Sequence, residues 1–124
     1  MKRIISTKNA PAAIGPYSQA VEVNNMLFIS GQIPVNPADG TIPEDVQGQT
    51  KQVMENIGAI LKEAGYTFDN VIKCTCFLTD MNNFVPFNEI YGKYFTSNPP
   101  ARAAFGVVSL PKGVLVEVEA IAAK

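Results

Sequence analysis

In the segment 114–123, VLVEVEAIAA, valines alternate with other residues, among them two glutamates, with a period of two residues. Its valines fall on one face of an extended strand, and Glu117 and Glu119 fall on the opposite face. Such a strand belongs to a sheet with one face covered by apolar packing and one face in a different environment. The alternation therefore restricts the chain to folds built on a half-covered sheet.

Other segments supply the partners of this strand. The segment VEVNNMLFISGQIP predicts two strands joined by a tight turn at Asn24 and Asn25. NVIKCTCFLTD and ARAAFGVV are also typical of strands, the former because it is rich in β-branched residues. If the last two strands pair as a hairpin centred on Pro111 and Lys112, Ala104 lies opposite Glu119.

Two segments have helical periodicity. From Val46 to Ala64 the apolar residues form one stripe, with acidic residues before it and Gly65 after it as a C-cap. The segment NNFVPFNEIYGKYF predicts a second helix with an aromatic stripe, capped by Asn82 or Asn83. The order of elements predicts a single α+β domain over residues 1–124, with a mixed sheet and two helices on one face.

The composition excludes several classes of function. Eleven acidic residues nearly balance ten basic ones, so no clustered basic face for nucleic acid is expected. The chain contains no histidine, which removes Ser-His-Asp and Cys-His catalysis and histidine metal sites. Proton transfer must then rely on Glu, Asp, Tyr, Lys, Cys, the backbone or water.

The two cysteines, Cys74 and Cys76, are two residues apart and therefore share one face of a strand. Nothing else in the chain completes a zinc site, so no metal or cofactor is expected. We interpret both as small buried hydrophobes of a cytoplasmic protein. No uncharged run is long enough to span a bilayer, and we expect no signal peptide in the N-terminal segment.

The segment NPPARAAFGVV places an arginine among very small residues. If Phe105 faces the helices, Arg102, Ala104 and Gly106 face the uncovered side of the sheet, as does Glu117. An uncovered face with apolar and charged residues predicts a homo-oligomer that packs these faces together. A guanidinium beside empty space would suit a small carboxylate ligand. A structural salt bridge from Arg102 to Glu117 or Glu119 explains the same pattern.

Several motifs also resemble a known family. NAPAAIGPYSQA, ISGQIPVNP, FNEIYGKYF, PPARAAFGVVSLPKG and VEVEAIA are similar to those of the reactive intermediate deaminase (Rid, or YjgF-like) family, from Asn9 to about Ala122. The resemblance implies a chorismate-mutase-like fold and a homotrimer with a central barrel and active sites in clefts between subunits. It also implies hydrolysis of short 2-imino acids, such as 2-iminobutanoate and 2-iminopropanoate, to 2-oxo acids and ammonia, without metal or cofactor.

The resemblance also assigns roles to individual residues. The carboxylate-binding arginine of the family corresponds to Arg102, the water-orienting glutamate to Glu117 and the pocket tyrosine to Tyr17. Asn88 matches the asparagine near the pocket.

The resemblance implies that the SGQ segment forms a wall of the substrate pocket, with Ser30 and Gly31 beside the substrate. At position 104 many bacterial members of the family have cysteine, whereas animal members have alanine, as this chain does. The resemblance therefore implies only a backbone role for Ala104.

Several alternatives remain open at this stage. Tyr17 is also consistent with a loop anchor, and Ser30 with a side chain that satisfies a backbone group. Alternation alone does not distinguish Glu117 from Glu119. Some relatives are described as endoribonucleases or translation inhibitors, which the near-neutral charge and the lack of histidine disfavour. A regulatory module that binds small carboxylates without chemistry would use the same pocket.

Overall fold

Six strands form one mixed sheet in the order β1-β2-β3-β6-β4-β5, with two α-helices against one of its faces. The computed structural model describes residues 1–124. In chain order the elements are β1 (Arg3–Ile5), β2 (Ala20–Val23), β3 (Met26–Gln32), α1 (Val46–Ala64), β4 (Val71–Leu78), α2 (Phe84–Tyr91), β5 (Ala101–Gly106) and β6 (Val116–Ala123). Only β4 and β5 pair in parallel, and the other neighbours are antiparallel. The predicted α+β architecture is confirmed.

The turn between β2 and β3 and both ends of α1 lie where the sequence predicts them. Asn24 and Asn25 both have positive φ (51° and 60°), which matches the turn that best joins two twisted strands. The side chain of Asp45 caps α1 by accepting a hydrogen bond from the N–H of Gly48 at 2.8 Å. Gly65 ends α1 in the left-handed conformation, with φ 85°.

The second helix is shorter than its sequence pattern indicates. A 3₁₀ turn at Met81–Asn83 precedes α2, and a second one at Gly92–Tyr94 follows it. Asn83 is at the predicted N-cap position of α2, but its side chain makes no cap hydrogen bond. Asp80 instead caps the preceding 3₁₀ turn by accepting from the N–H of Asn82 at 2.9 Å. None of the helices combines sufficient length with enough apolar character to cross a membrane.

The last two strands do not form a hairpin. β4 lies between β5 and β6 and pairs with both, so the hairpin register considered for Ala104 and Glu119 does not exist. Parallel strands need a crossover connection, and here α2 lies in the connection from β4 to β5. As a result β5 is an edge strand packed beside α2.

The pairing with β4 also corrects the expected orientation of Arg102. Cys74 and Cys76 are buried beneath the helices, and their neighbours on β5 are Arg102 and Ala104. Neighbouring residues in register point to the same side, so Arg102 and Ala104 face α2 rather than the uncovered face. Small residues are needed there because the helix layer is close: a Cβ at Gly106 would lie 3.0 Å from Cγ of Met81.

The uncovered face of the sheet carries aromatic and acidic side chains together. Phe105 projects to this side and stacks on Phe77, with ring centroids 6.2 Å apart. Phe28 is a further exposed aromatic residue of this face. Glu117 and Glu119 project to it as predicted, since Val116, Val118 and Ala120 of the same strand are buried beneath the helices. This face therefore combines a considerable exposed apolar area with two carboxylates.

The cysteines are buried and unpaired, as the strand pattern indicates. Cys74 and Cys76 are free thiols with at most 1% of their surface exposed. Burial raises the pKa of the Cys76 thiol to about 12, and it also raises the pKa of Cys74. Both remain protonated at neutral pH and behave as small apolar residues.

Candidate active site

Arg102 lies against a stripe of side chains on α2. Its Nη1 donates a 2.7 Å hydrogen bond to Oδ1 of Asn88. Its Cζ lies 5.1 Å from the ring centroid of Phe84 and 4.9 Å from that of Tyr91. Positions 84, 88 and 91 share one helix face, so the period of α2 creates this surface. We call these four residues the guanidinium half of the site.

The charge of Arg102 is not neutralised within the chain. The single ion pair of the structure joins Arg3 to Glu22 at 2.9 Å, far along the sheet on β1 and β2. The predicted alternative of a salt bridge from Arg102 to Glu117 or Glu119 is therefore absent within one chain. An exposed guanidinium that already has neutral partners on one side retains donors for an anion.

Glu117 is held beside a glycine on the neighbouring strand. The regular pairing of β3 with β6 is interrupted between Ile29 and Gln32, a bulge of the kind often found beside active sites. A Cβ added at Gly31, within this bulge, would overlap Oε2 of Glu117. Burial, and next the charge of Glu119, raises the pKa of Glu117 above its ordinary value. A half-buried carboxylate of raised pKa is suited to accept and return a proton near neutral pH.

Tyr17 and Ser30 lie on the same side of the molecule as Gly31. Tyr17 is half exposed and, with Gly31, lines a cavity of about 510 Å³. The Ser30 hydroxyl donates to the backbone carbonyl of Ser18 at 2.6 Å, as expected if this side chain satisfies a backbone group. Together with Glu117 these residues form what we call the carboxylate half of the site.

Buried amide side chains fix the loops around the carboxylate half, although none of them is predicted as a site residue from the sequence. Gln19 binds the backbone of Thr7 and Pro11 with distances of 2.7–3.0 Å. Gln49 accepts from the N–H of Leu115 at 2.8 Å, just before β6, and donates to the carbonyl of Pro43. For Gln49, the available signal is a polar side chain within the apolar stripe of α1.

Asn56 has the same role seven residues further along α1, which is about two turns, or about 10 Å, after Gln49. Its Nδ2 donates to the carbonyls of Ile33 and Val35, both at 3.1 Å. It is completely buried, as its position in the stripe requires. Ile33 and Val35 line the cavity with Tyr17, so Asn56 holds one of its walls.

The two halves do not meet within one chain. Arg102 projects to the helix-covered face of the sheet, and Glu117 projects to the uncovered face. Their strands are separated by β4, which places the two backbones about 10 Å apart. Within one chain, therefore, the two groups do not contact the same small ligand.

The glycine in the bulge gives a direct test of the carboxylate half. We expect Gly31→Ala to displace the Glu117 carboxylate, because its Oε2 occupies the place of the new Cβ. The glutamate side chain is flexible and can move away, so the thermal midpoint should change little. If Glu117 acts on the substrate, a displacement of about 1 Å should lower kcat roughly a hundredfold. Unchanged kcat in the folded variant would contradict this role of Glu117.

Comparison with known proteins now places the chain in a family. A family model described as Endoribonuclease L-PSP matches residues 7–124, which is nearly the whole chain. The chain belongs to this family, also known as the Rid or YjgF-like family. The resemblance of its sequence motifs to Rid proteins is thereby confirmed.

Similar Rid-family proteins come from several kingdoms. A RutC family protein of Pyrococcus horikoshii is 55% identical over 100% of this chain and 99% of that protein. The 2-iminobutanoate/2-iminopropanoate deaminase of Homo sapiens is 52% identical over 98% of this chain and 90% of that protein. The structure of Escherichia coli TdcF with bound serine superimposes with a TM-score of 0.96 at 46% identity, covering 98% of both chains.

Proposed function

We propose that this protein is a cofactor-independent deaminase that hydrolyses 2-iminobutanoate and 2-iminopropanoate to 2-oxo acids and ammonia. The observation that carries the proposal is the pair of complementary half-sites. A guanidinium without a carboxylate partner lies on one face of the sheet, and a carboxylate of raised pKa lies on the other. The first group suits a substrate carboxylate, and the second suits proton transfer to and from water.

The names of the relatives support the same substrate class. Human, mouse, goat and bovine proteins called 2-iminobutanoate/2-iminopropanoate deaminase are 52–54% identical to the chain over 98% of its length. TdcF, at 46% identity, has been solved with bound serine. Serine has the carboxylate and the nitrogen-bearing C2 of a short 2-imino acid, and it is of similar size.

The proposed active form is a homotrimer with the sites between subunits. The uncovered face, with Phe28, Phe77 and Phe105, is the apolar surface that such an assembly would bury. Packing this face against a neighbour brings the carboxylate half of one subunit towards the guanidinium half of the next. A closed ring of three copies would then contain three equivalent sites.

The proposed reaction needs only groups that the chain supplies. Arg102 of one subunit binds the substrate carboxylate and thereby fixes C2 in front of Glu117 of its neighbour. Glu117 takes a proton from a water molecule as the water oxygen bonds to C2 of the iminium ion. The resulting carbinolamine receives this proton on nitrogen, the C–N bond breaks, and the hydroxyl proton leaves with ammonia as ammonium. Tyr17, which lines the cavity beside Gly31, would close the site.

The name of the family model raises the alternative of RNA cleavage. The lack of histidine and the formal net charge of −1 disfavour this alternative, because histidine is the commonest general acid–base group and phosphate contacts need basic side chains. The deaminase activity is tested by incubating the protein with freshly generated 2-iminobutanoate and measuring the rate of 2-oxobutanoate release. No acceleration over buffer would overturn the proposed activity.

Subunit complementation tests the shared site. Arg102→Ala and Glu117→Gln chains, each inactive alone, should regain activity when they are unfolded together and refolded as mixed trimers. A site works when its arginine comes from one variant and its glutamate from the other. At equal amounts this holds for about a quarter of all sites, so about a quarter of wild-type activity should return.

Each variant refolded alone is the control, and sedimentation equilibrium gives the number of chains per particle. Mixed trimers without activity, alongside an active wild type, would show that Arg102 and Glu117 act within one subunit. A stable monomer with full activity would overturn the shared-site proposal as well.

A further inference from the structure

The guanidinium of Arg102 is in contact with two aromatic rings of α2. The rings of Phe84 and Tyr91 lie about 5 Å from Cζ of Arg102, within the range of a cation–π interaction. Both belong to the aromatic stripe of α2. Tyr91 does pack in the core, with 6% of its surface exposed, but its ring also faces a charged group.

Arg102 needs such support because of its place in the fold. β5 is an edge strand, and the Arg102 side chain is exposed. A free arginine side chain on an edge samples many rotamers, and ordering it on ligand binding costs affinity. The single hydrogen bond to Asn88 fixes Nη1 only. The two rings restrict the plane of the guanidinium as well.

The hydroxyl of Tyr91 does not account for the presence of a tyrosine at this position. Oη of Tyr91 is buried beside the thiol of Cys74, and burial first, then this thiol, raises the pKa of the phenol. A thiol is a weak hydrogen-bond partner, so the ring is the part of this side chain that contributes most. The ring faces Arg102 and stacks on Phe87 at 5.5 Å.

We propose that Phe84 and Tyr91 are positioning residues that hold the Arg102 guanidinium in the orientation that receives a carboxylate. The proposal rests on the proposed function for the identity of that carboxylate. The positioning itself concerns groups of one chain, so it can be measured with no substrate present.

Side-chain NMR of the arginines provides the test that is independent of activity. The chain has only two arginines, Arg3 and Arg102, and Arg102→Lys assigns their signals. In the wild type we expect slow rotation about Nε–Cζ of Arg102 and separate Nη signals. Tyr91→Leu should collapse them into one averaged signal, whereas Tyr91→Phe should keep them separate. Arg3, paired with Glu22, is the internal reference and should not change.

Kinetics on 2-iminobutanoate then links orientation to binding. Loss of one ring should raise KM roughly tenfold, with kcat within about twofold of wild type. Tyr91→Phe should restore the wild-type KM. Tyr66→Leu is the matched control, since Tyr66 is also buried and lies 4.4 Å from a cation, Nζ of Lys124. It should lower stability and leave KM unchanged.

Phe84→Leu repeats the test at a half-buried position if Tyr91→Leu does not fold. Unchanged Arg102 signals in the leucine variants, or a wild-type KM in them, would overturn the positioning role. A wild type that does not hydrolyse 2-iminobutanoate would overturn the proposed function instead. In that case the NMR comparison still decides whether the rings orient Arg102.

Discussion

Arg102→Ala should abolish most of the deaminase activity and leave the subunit folded. The residue forms no ion pair within the chain, so its removal leaves no carboxylate without a partner. Hydrogen bonds to a charged group contribute about 1.5–3 kcal/mol each, so loss of a bidentate pair should lower kcat/KM on the order of a hundredfold or more. The measurements are iminobutanoate hydrolysis, the thermal midpoint and the number of chains per particle.

Arg102→Lys separates charge from geometry. Lysine keeps the positive charge but lacks the planar fork that binds a carboxylate through two parallel hydrogen bonds. It also loses the flat surface that faces Phe84 and Tyr91. Its kcat/KM should stay at least about tenfold below wild type. Near-normal turnover in a folded Arg102→Ala trimer would contradict the role of this arginine as the carboxylate anchor.

Glu117→Gln should lower kcat by roughly a hundredfold to ten-thousandfold, the usual range for loss of a general base. Glutamine has nearly the same shape and keeps a hydrogen-bond acceptor, so water can still bind, but it takes no proton. Glu119→Gln is the matched control two residues along the strand and should retain activity. A strong loss in Glu119→Gln with little loss in Glu117→Gln would reverse the assignment that alternation leaves open.

The raised pKa of Glu117 also gives this prediction a pH dependence. Burial and the Glu119 charge raise the folded-state pKa above the unfolded one, so the folded state binds this proton more tightly. The contribution of this proton to the stability of the fold is complete below the ordinary carboxyl pKa. It is lost as the pH rises through the pKa of Glu117 in the folded state. Glu117→Gln should therefore raise the thermal midpoint at pH 7 and have no such effect near pH 4.

In Glu119→Gln, the decrease of kcat on the acidic side of the pH profile should occur at lower pH than in the wild type. Glu117 has to be ionised to act as a base, and removal of the neighbouring charge lowers its pKa. A profile that is identical in wild type and Glu119→Gln would show that Glu117 is not the group responsible for that decrease.

Local patterns of the sequence were sufficient for most of the elements. Asn24 and Asn25, Gly65 and the apolar stripe of α1 act over a few residues, so their effect can be read along the chain. The alternation of β6 correctly placed Glu117 and Glu119 on the uncovered face. The family motifs covered nearly the whole chain, and the family model confirmed them.

Strand β1 lay outside these predictions. It has only three residues, Arg3–Ile5, and exists through pairing with β2, for example Ile5 with Ala20. A strand this short carries too little periodic signal to be recognised. Its partner, distant in sequence, is what makes it a strand.

The orientation of Arg102 was likewise decided by the tertiary structure. Alternation shows that Arg102 and Ala104 share a face, but not which face, and the larger Phe105 suggested the wrong one. Pairing with β4 placed Arg102 beside Cys74 and under α2. Which residues of the edge strand β5 face the helices depends on pairing with a strand more than twenty residues away. It also depends on the space that small residues leave beneath a helix. Neither is encoded in the local period, so only the assembled sheet separates the guanidinium from Glu117 and divides the site into two halves.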